Sequence, residues 1–364
     1  MRKNILMITS SSNGGGPKQL FNLAQELSNT FDINVACPST YLYINELKKT
    51  ITGKIIIINE RKIAFLDILS IIKFILINSV QVVHSHGKGA GAIARLVKVF
   101  TGVKLVHTFH GIHVTGKDYI PRTIYLLYEK ITLKLNNYNI FVSKSELDMA
   151  ASYNFLPKRN IKIIANGVAV QNTPLSGFFL KEHIRHSILK DIKKTIVITS
   201  SRFVEVKNLF EFIEIASLTP EMIFCMLGDG PLTPAIKKII ANRKIRNIVL
   251  TGYKNNIIDY LKSADIYLTT SFREAHPLSV LEAMSVGLPI VASKVPGNID
   301  TISHDSSGYF YDLGNISQAI NYLRKISNDY ELRMNLGKNA QIIQRCNFSI
   351  SLMSRNYKDI YNKI

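Results

Sequence analysis

Short apolar runs recur through this chain with helix-period stretches between them, and that alternation restricts it to parallel sheets covered by helices on both faces. Runs at 4–9, 33–36, 54–58, 80–84, 104–107, 139–142 and 162–164 read as the strands of one doubly wound domain. A segment at about 171–194, first Pro-, Gly- and Ser-containing and then basic, separates these from a second series at 195–200, 222–227, 248–251, 266–269, 289–292 and 308–310. With 364 residues the chain also exceeds the usual size of one hydrophobic core. The expected class is α/β, with two Rossmann-like domains at residues 1–175 and 176–364. In such sheets ligands bind beyond the carboxyl ends of the strands, so the side chains there are the candidates for chemistry.

Composition narrows the setting. The three cysteines, Cys37, Cys225 and Cys346, match no metal-ligand spacing and read as free thiols packed in a core, in a reducing, cytoplasmic compartment. The opening run Met1-Arg2-Lys3-Asn4-Ile5-Leu6-Met7-Ile8 is too short for a signal peptide and reads as a first buried strand. The most apolar stretch, 65–83, is interrupted by Asp67, Lys73, Asn78 and Gln81 and reads as a core helix followed by a strand, not as a membrane span. Net charge is +19, with 21 Lys and Arg against 9 Asp and Glu in residues 1–175. Such an excess suits nucleic acid, anionic lipid or a phosphorylated substrate, or reflects only a composition rich in Lys, Asn and Ile. No RRM, KH or zinc-finger pattern accompanies it, so nucleic acid is not expected.

Four loops carry polar groups suited to a site. Ser10-Ser11-Ser12-Asn13-Gly14-Gly15-Gly16-Pro17 follows the first strand, and its glycines let backbone amides approach a phosphate; a plain strand-to-helix turn explains it too. It is not a Walker A loop, since no Gly-Lys-Ser/Thr follows, and Gln19 stands where a dinucleotide fingerprint needs a third glycine. Gly87, Gly89 and Ala92 imitate that fingerprint, but no acid stands about 20 residues beyond. His84, His86, His107, His110 and His113 crowd two strand ends without the cysteine or acid spacing of a zinc site. Core roles are expected for His84, His107 and His113, and His86 stays open. Ser201-Arg202-Phe203-Val204-Glu205-Val206-Lys207-Asn208 then places two cations after the first strand of the second series.

The most informative stretch is Ser271-Phe272-Arg273-Glu274-Ala275-His276-Pro277-Leu278-Ser279-Val280-Leu281-Glu282, closed by Gly287 and Pro289. It reads as a loop carrying Glu274, a short helix carrying Glu282, a glycine stop and a buried strand. The amides near Ser279 at the helix start suit phosphate, while the two carboxylates reach hydroxyls. This stretch resembles the signature of the retaining, nucleotide-sugar-dependent glycosyltransferases of family 4, which have the GT-B fold and two glutamates separated by seven residues. Ala275 departs from it where glycine is common, and Asp300 where glutamate is usual.

The resemblance implies two Rossmann-like domains facing a cleft, the first binding the acceptor and the second the nucleotide sugar. It implies catalytic roles for His110, Arg202, Lys207 and Glu274. It places the donor against Gly15, Gly16, Gly228, Tyr253, Leu278, Ser279 and Glu282, with Glu274 by the sugar and Glu282 on the ribose. His110, with an imidazole pKa near neutrality, then orients the acceptor hydroxyl or shuttles a proton. No Asp-x-Asp metal motif occurs, which fits a metal-independent, cofactor-free GT-B enzyme in which Arg202 and Lys207 meet the charge of the leaving diphosphate. The implied activity is transfer of a hexose or N-acetylhexosamine from a UDP-sugar to a glycan acceptor, lipid-linked, in surface polysaccharide synthesis. The basic first domain suits attachment to an anionic membrane surface. A GT-B nucleotide-sugar epimerase and a non-catalytic nucleotide-sugar-binding subunit are the rival readings.

Overall fold

A computed structural model describes residues 2–112, 119–156, 160–171 and 194–364. The chain forms two compact units, Met1–Gly167 together with Ile350–Ile364, and Val168–Ser349.

In the first unit all seven strands are parallel: β1 (Asn4–Thr9), β2 (Asp32–Cys37), β3 (Ile55–Ile57), β4 (Val82–His86), β5 (Lys104–Thr108), β6 (Tyr138–Phe141) and β7 (Ile161–Ile163), in the order β3-β2-β1-β4-β5-β6-β7. Ile5, Leu6, Met7 and Ile8 of β1 are fully buried, as helices on both faces require. The order reverses between β1 and β4, and the crossovers β3→β4, β4→β5 and β5→β6 all run one way. Right-handed crossovers therefore put the helices Phe65–Ile77, Lys88–Thr101 and Tyr119–Thr132 on one face, and Gly15–Leu27 and Ile44–Thr50 on the other.

The second unit repeats the plan with six parallel strands: β8 (Ile196–Ser200), β9 (Ile223–Leu227), β10 (Ile248–Gly252), β11 (Ile266–Thr269), β12 (Ile290–Ser293) and β13 (Gly308–Tyr311). Their order is β10-β9-β8-β11-β12-β13, with the reversal between β8 and β11.

Three expectations are corrected. The division at 175/176 lies outside the described residues, and the last helix, Ile350–Lys363, joins the first unit instead of the second. Its Met353, Tyr357, Ile360 and Tyr361 fill the same core as Leu20, Leu23 and Leu27, and Lys3 Nζ donates to the carbonyls of Tyr361 (2.7 Å) and Ile364 (2.8 Å) at its end. The strand expected at 80–84 starts at Val82, because the amide of Val80 still bonds back to Ile75 (3.1 Å). The stretch 65–83 is core on one side only: Ile68, Ile71 and Ile75 are buried, but Phe65, Leu66, Leu69, Leu76 and Ile77 are exposed. Cys37 and Cys225 are buried and their thiols pushed up to about 12 by that burial, while Cys346 is exposed. Among the described residues no helix is long and apolar enough to cross a membrane.

One ion pair locks two of the helices on the first sheet. Arg95 donates to Glu129 at 2.8 Å with both side chains almost fully buried, and Arg95 also reaches Asn136 and Thr132. Glu129→Ala leaves a buried guanidinium uncompensated, and the expected loss is about 3–5 kcal/mol. Chemical denaturation checks it; a loss below about 1 kcal/mol would show that Arg95 relaxes into water.

Candidate active site

The loops at the carboxyl ends of the second sheet bind one another through their backbones. The amide of Phe203 donates to Asp229 (2.9 Å), Gly228 to Gly252 (3.0 Å), Phe272 to Val206 (2.9 Å) and Glu274 to Pro296 (3.2 Å). Thr270 Oγ1 adds bonds to the carbonyls of Lys207 (3.1 Å) and Asn208 (2.9 Å). The loops after β8 and β11 are thus held side by side at the point where strand order reverses, the place where open α/β sheets bind ligands.

Lys207 and Glu274 meet there. Lys207 Nζ lies 2.6 Å from Glu274 Oε1, with the two side chains only 18% and 11% exposed, and Ser271 Oγ donates to the same oxygen at 2.7 Å. Among the described residues these bonds fall on Oε1. The turn behind Glu274 requires glycine: Gly297 has φ +83°, and a Cβ there would stand 2.6 Å from the carbonyl oxygen of Glu274. Asp300 accepts from the Gly297 amide (3.2 Å), so the shorter acid closes this turn.

The other expected residues of this unit lie on the same loops or on the helix that follows. Arg202 is exposed on the β8 loop. Gly228 ends β9 with φ +134°, where a Cβ would stand 1.8 Å from the carbonyl oxygen of Ser201. Tyr253 is exposed just after β10. Leu278 and Glu282 are buried and Ser279 half-buried on the helix Leu278–Ser285, and Gly287 follows it with φ +80°. His276 is buried edge-on against Phe348; burial pulls it down to about 4, with Asp300 opposing.

In the first unit, Gly15 and Gly16 open the helix after β1, and a Cβ on Gly16 would meet His110 Cδ2 at 3.0 Å. Close packing against His110, not only backbone freedom, therefore selects that glycine. His84 and His107 have the core roles expected of them. His84 bonds Tyr361 Oη (2.5 Å) and Thr108 Oγ1 (2.8 Å), and His107 bonds Ser85 Oγ (2.8 Å). His113 lies outside the described residues.

His86 is the link between this core and His110. Its Nδ1 is 3.1 Å from both Gln19 Oε1 and His110 Nε2, while its Nε2 is buried without a partner. An orphaned lone pair costs less than an orphaned N–H, so the His86 proton sits on Nδ1. His110 Nε2 then accepts, and His110 carries its own proton on Nδ1. Burial pulls His110 down to about 3, which corrects the expected near-neutral imidazole. It is a neutral hydrogen-bonding group and a weak base at physiological pH.

Sequence reasoning did not pick out Gln19, His86, Glu146, Ser271 or Gly297 as positioning groups. Glu146 takes the amides of Gly111, next to His110, and Val142. The Ser143–Glu146 capping pattern before a helix was the available signal; the Ser143 side chain accepts from the Glu146 amide.

Comparison with known proteins follows the same division. The description "Glycosyltransferase Family 4" matches residues 13–172, and "Glycosyl transferases group 1" matches residues 181–342. The UDP-Gal:alpha-D-GlcNAc-diphosphoundecaprenol alpha-1,3-galactosyltransferase of Escherichia coli is 26% identical over 347 residues, covering 91% of this chain and 89% of that protein. The capsular polysaccharide biosynthesis glycosyltransferase CapM of Staphylococcus aureus is 23% identical, covering 88% and 86%. The crystal structure of Anabaena HepE in complex with UDP and glucose has a TM-score of 0.85 over 100% of both chains at 16% identity, a likeness of fold.

Four buried histidines and the half-buried His110 set an acid limit. Burial lowers the pKa of His84, His86, His107, His110 and His276 below the ordinary 6.5. Below that pH the unfolded chain binds protons that the native chain does not. Stability is therefore complete above pH 6.5 and falls as pH drops toward about 4 for His276 and about 3 for His110. Each group contributes a slope of up to about 1.4 kcal/mol per pH unit. Calorimetry is expected to show Tm dropping between about pH 6.5 and about pH 4.5, and dropping less in His107→Gln. A constant Tm over that window would contradict the assignment.

Proposed function

We propose that this chain, which belongs to glycosyltransferase family 4 and has the GT-B fold, moves a hexose or N-acetylhexosamine from a UDP-sugar to a glycan acceptor carried on a lipid, in surface polysaccharide synthesis at the cytoplasmic face of the membrane. The family is a retaining one and the chain is a hexosyltransferase. The acceptor class is supported by the undecaprenol-linked substrate in the name of the Escherichia coli relative.

The observation that carries the site assignment is the Lys207–Glu274 contact at the strand reversal of the second sheet, with Arg202 on the same loop as Lys207. Breaking the bond from the anomeric carbon sends its electron pair to the diphosphate, and charge grows on that oxygen. Arg202 and Lys207 meet it, with no metal ion required. Glu274 Oε2 accepts from the sugar hydroxyls, Glu282 from the ribose, and Leu278, Ser279, Gly228, Tyr253, Gly15 and Gly16 line the donor. The acceptor hydroxyl oxygen forms the new bond to the anomeric carbon. His110, too weak a base to hold the released proton, orients that hydroxyl, and the proton passes to the departing diphosphate.

Arg202→Ala and Lys207→Ala are each expected to lower turnover roughly a hundredfold or more. Glu282→Gln is expected mainly to weaken UDP binding, and His110→Ala to keep donor affinity within a few fold while cutting transfer. EDTA is expected to leave the wild type active. Radiolabelled UDP-sugars with a lipid-linked acceptor supply the assay. Loss of activity in EDTA with recovery in magnesium, alongside a tolerated Arg202→Ala, would overturn the assignment; an epimerised donor with no transfer would overturn the reaction.

A further inference from the structure

Three of the helices on one face of the first sheet, Phe65–Ile77, Lys88–Thr101 and Tyr119–Thr132, do not finish in a polar surface. Phe65–Ile77 turns Ile68, Ile71 and Ile75 to the sheet, together with Ala90, Ile93 and Val97 of Lys88–Thr101. Their other sides are apolar as well. Phe65, Leu66, Leu69, Leu76 and Ile77 are exposed at helical spacing on the first helix, and Leu96, Val99 and Phe100 on the second. Ile124, Leu127 and Ile131 continue the pattern on Tyr119–Thr132, which the Arg95–Glu129 pair and Lys88 over the Tyr125 ring bind to the second. Phe65, Leu66 and Phe100 are each at least 70% exposed, so these are not partly covered core residues.

Exposed charge on these three helices has one sign. Among the described side chains of the three helices, the exposed charged groups are Lys73, Lys88 and Lys130, and the acids Asp67 and Glu129 are buried. Exposed Arg61 and Lys62 stand just ahead of Phe65. Glu60 pairs with Arg61, and Asp148 with Lys144 on the next helix, so the unpaired balance at these three helices is cationic. An apolar surface with such a cationic excess is what a monotopic protein lays into an anionic bilayer interface. A second copy set against the same face would bring like charges together.

We propose that the face formed by Phe65–Ile77, Lys88–Thr101 and Tyr119–Thr132 seats in the headgroup layer of an anionic membrane, apolar stripes inward and lysines on lipid phosphates. This goes beyond the transfer chemistry and stands whether or not the acceptor carries a lipid.

The test is co-sedimentation of the full chain with vesicles of phosphatidylglycerol and phosphatidylethanolamine, against vesicles of phosphatidylcholine, at low and high salt. The wild type is expected to sediment with the anionic vesicles and to retain part of that binding in high salt through its apolar contacts. A Leu66→Ser, Phe100→Ser double variant is expected to bind at least about tenfold more weakly at both salt levels. Lys73→Glu is expected to lose binding chiefly at low salt, and Met334→Ser, exposed on a helix of the second unit, to bind as the wild type does. Unchanged Tm and unchanged transfer to a water-soluble acceptor keep folding out of the comparison. A wild type that stays in the supernatant, or a double variant that binds equally well, would overturn the proposal. So would a wild-type oligomer that the double variant converts to monomer without any vesicle binding, since the face would then be a protein interface.

Discussion

The ion pair between Lys207 and Glu274 is the contact on which the second unit's site depends, and nearly every special feature around it serves to bring those two groups within 2.6 Å. Two adjacent parallel strands, β8 and β11, run out in loops on either side of a strand reversal, and Thr270 staples one loop to the carbonyls of the other. Gly297 allows the backbone behind Glu274 to come close enough, and Ser271 fixes the carboxylate orientation. A half-buried lysine and carboxylate each carry a desolvation cost, and each offsets it for the other. The unit thereby holds a cation and a carboxylate side by side at the strand reversal, without leaving either charge uncompensated.

The first unit solves a different problem, holding an imidazole neutral and in one tautomer. Gln19 connects the buried core to His86: its Nε2 donates to Tyr357 on the last helix, and its Oε1 accepts from His86 Nδ1. Tyr357 and Tyr361 in turn hold Thr108 at the end of β5 and His84 in the middle of β4. The last helix is therefore more than a closing element for the fold. Through a chain of buried hydrogen bonds it reaches the residue that sets which nitrogen of His110 bears hydrogen.

The strand pattern was legible because fully buried parallel strands are written as Val- and Ile-rich runs, as in Ile196–Ser200 and Ile290–Ser293. The placement of Arg202, Lys207 and Glu274 on loops after strands was legible, and their roles rest on the family resemblance. Other features were not, for physical reasons. Tyr357 and Tyr361 fit either unit equally well on amphipathic pattern alone, and only tertiary packing assigns their helix to the first. His110 looked titratable because its burial and its bond to His86 come from residues 24 or more positions away. The helix Phe65–Ile77 is apolar on nearly all sides, so its period could not separate the stripe that meets the sheet from the stripe left exposed.

If Lys207 and Glu274 act as one device, their effects on turnover cannot be independent. The most direct measurement is a double-mutant cycle on the transfer rate, comparing Lys207→Ala, Glu274→Gln and the combined variant with the wild type. The account predicts a combined loss close to that of the more severe single variant, a coupling on the order of 2 kcal/mol or more. Losses that multiply, leaving a coupling near zero, would show that the two residues act separately and that their contact at the head of β8 and β11 is incidental.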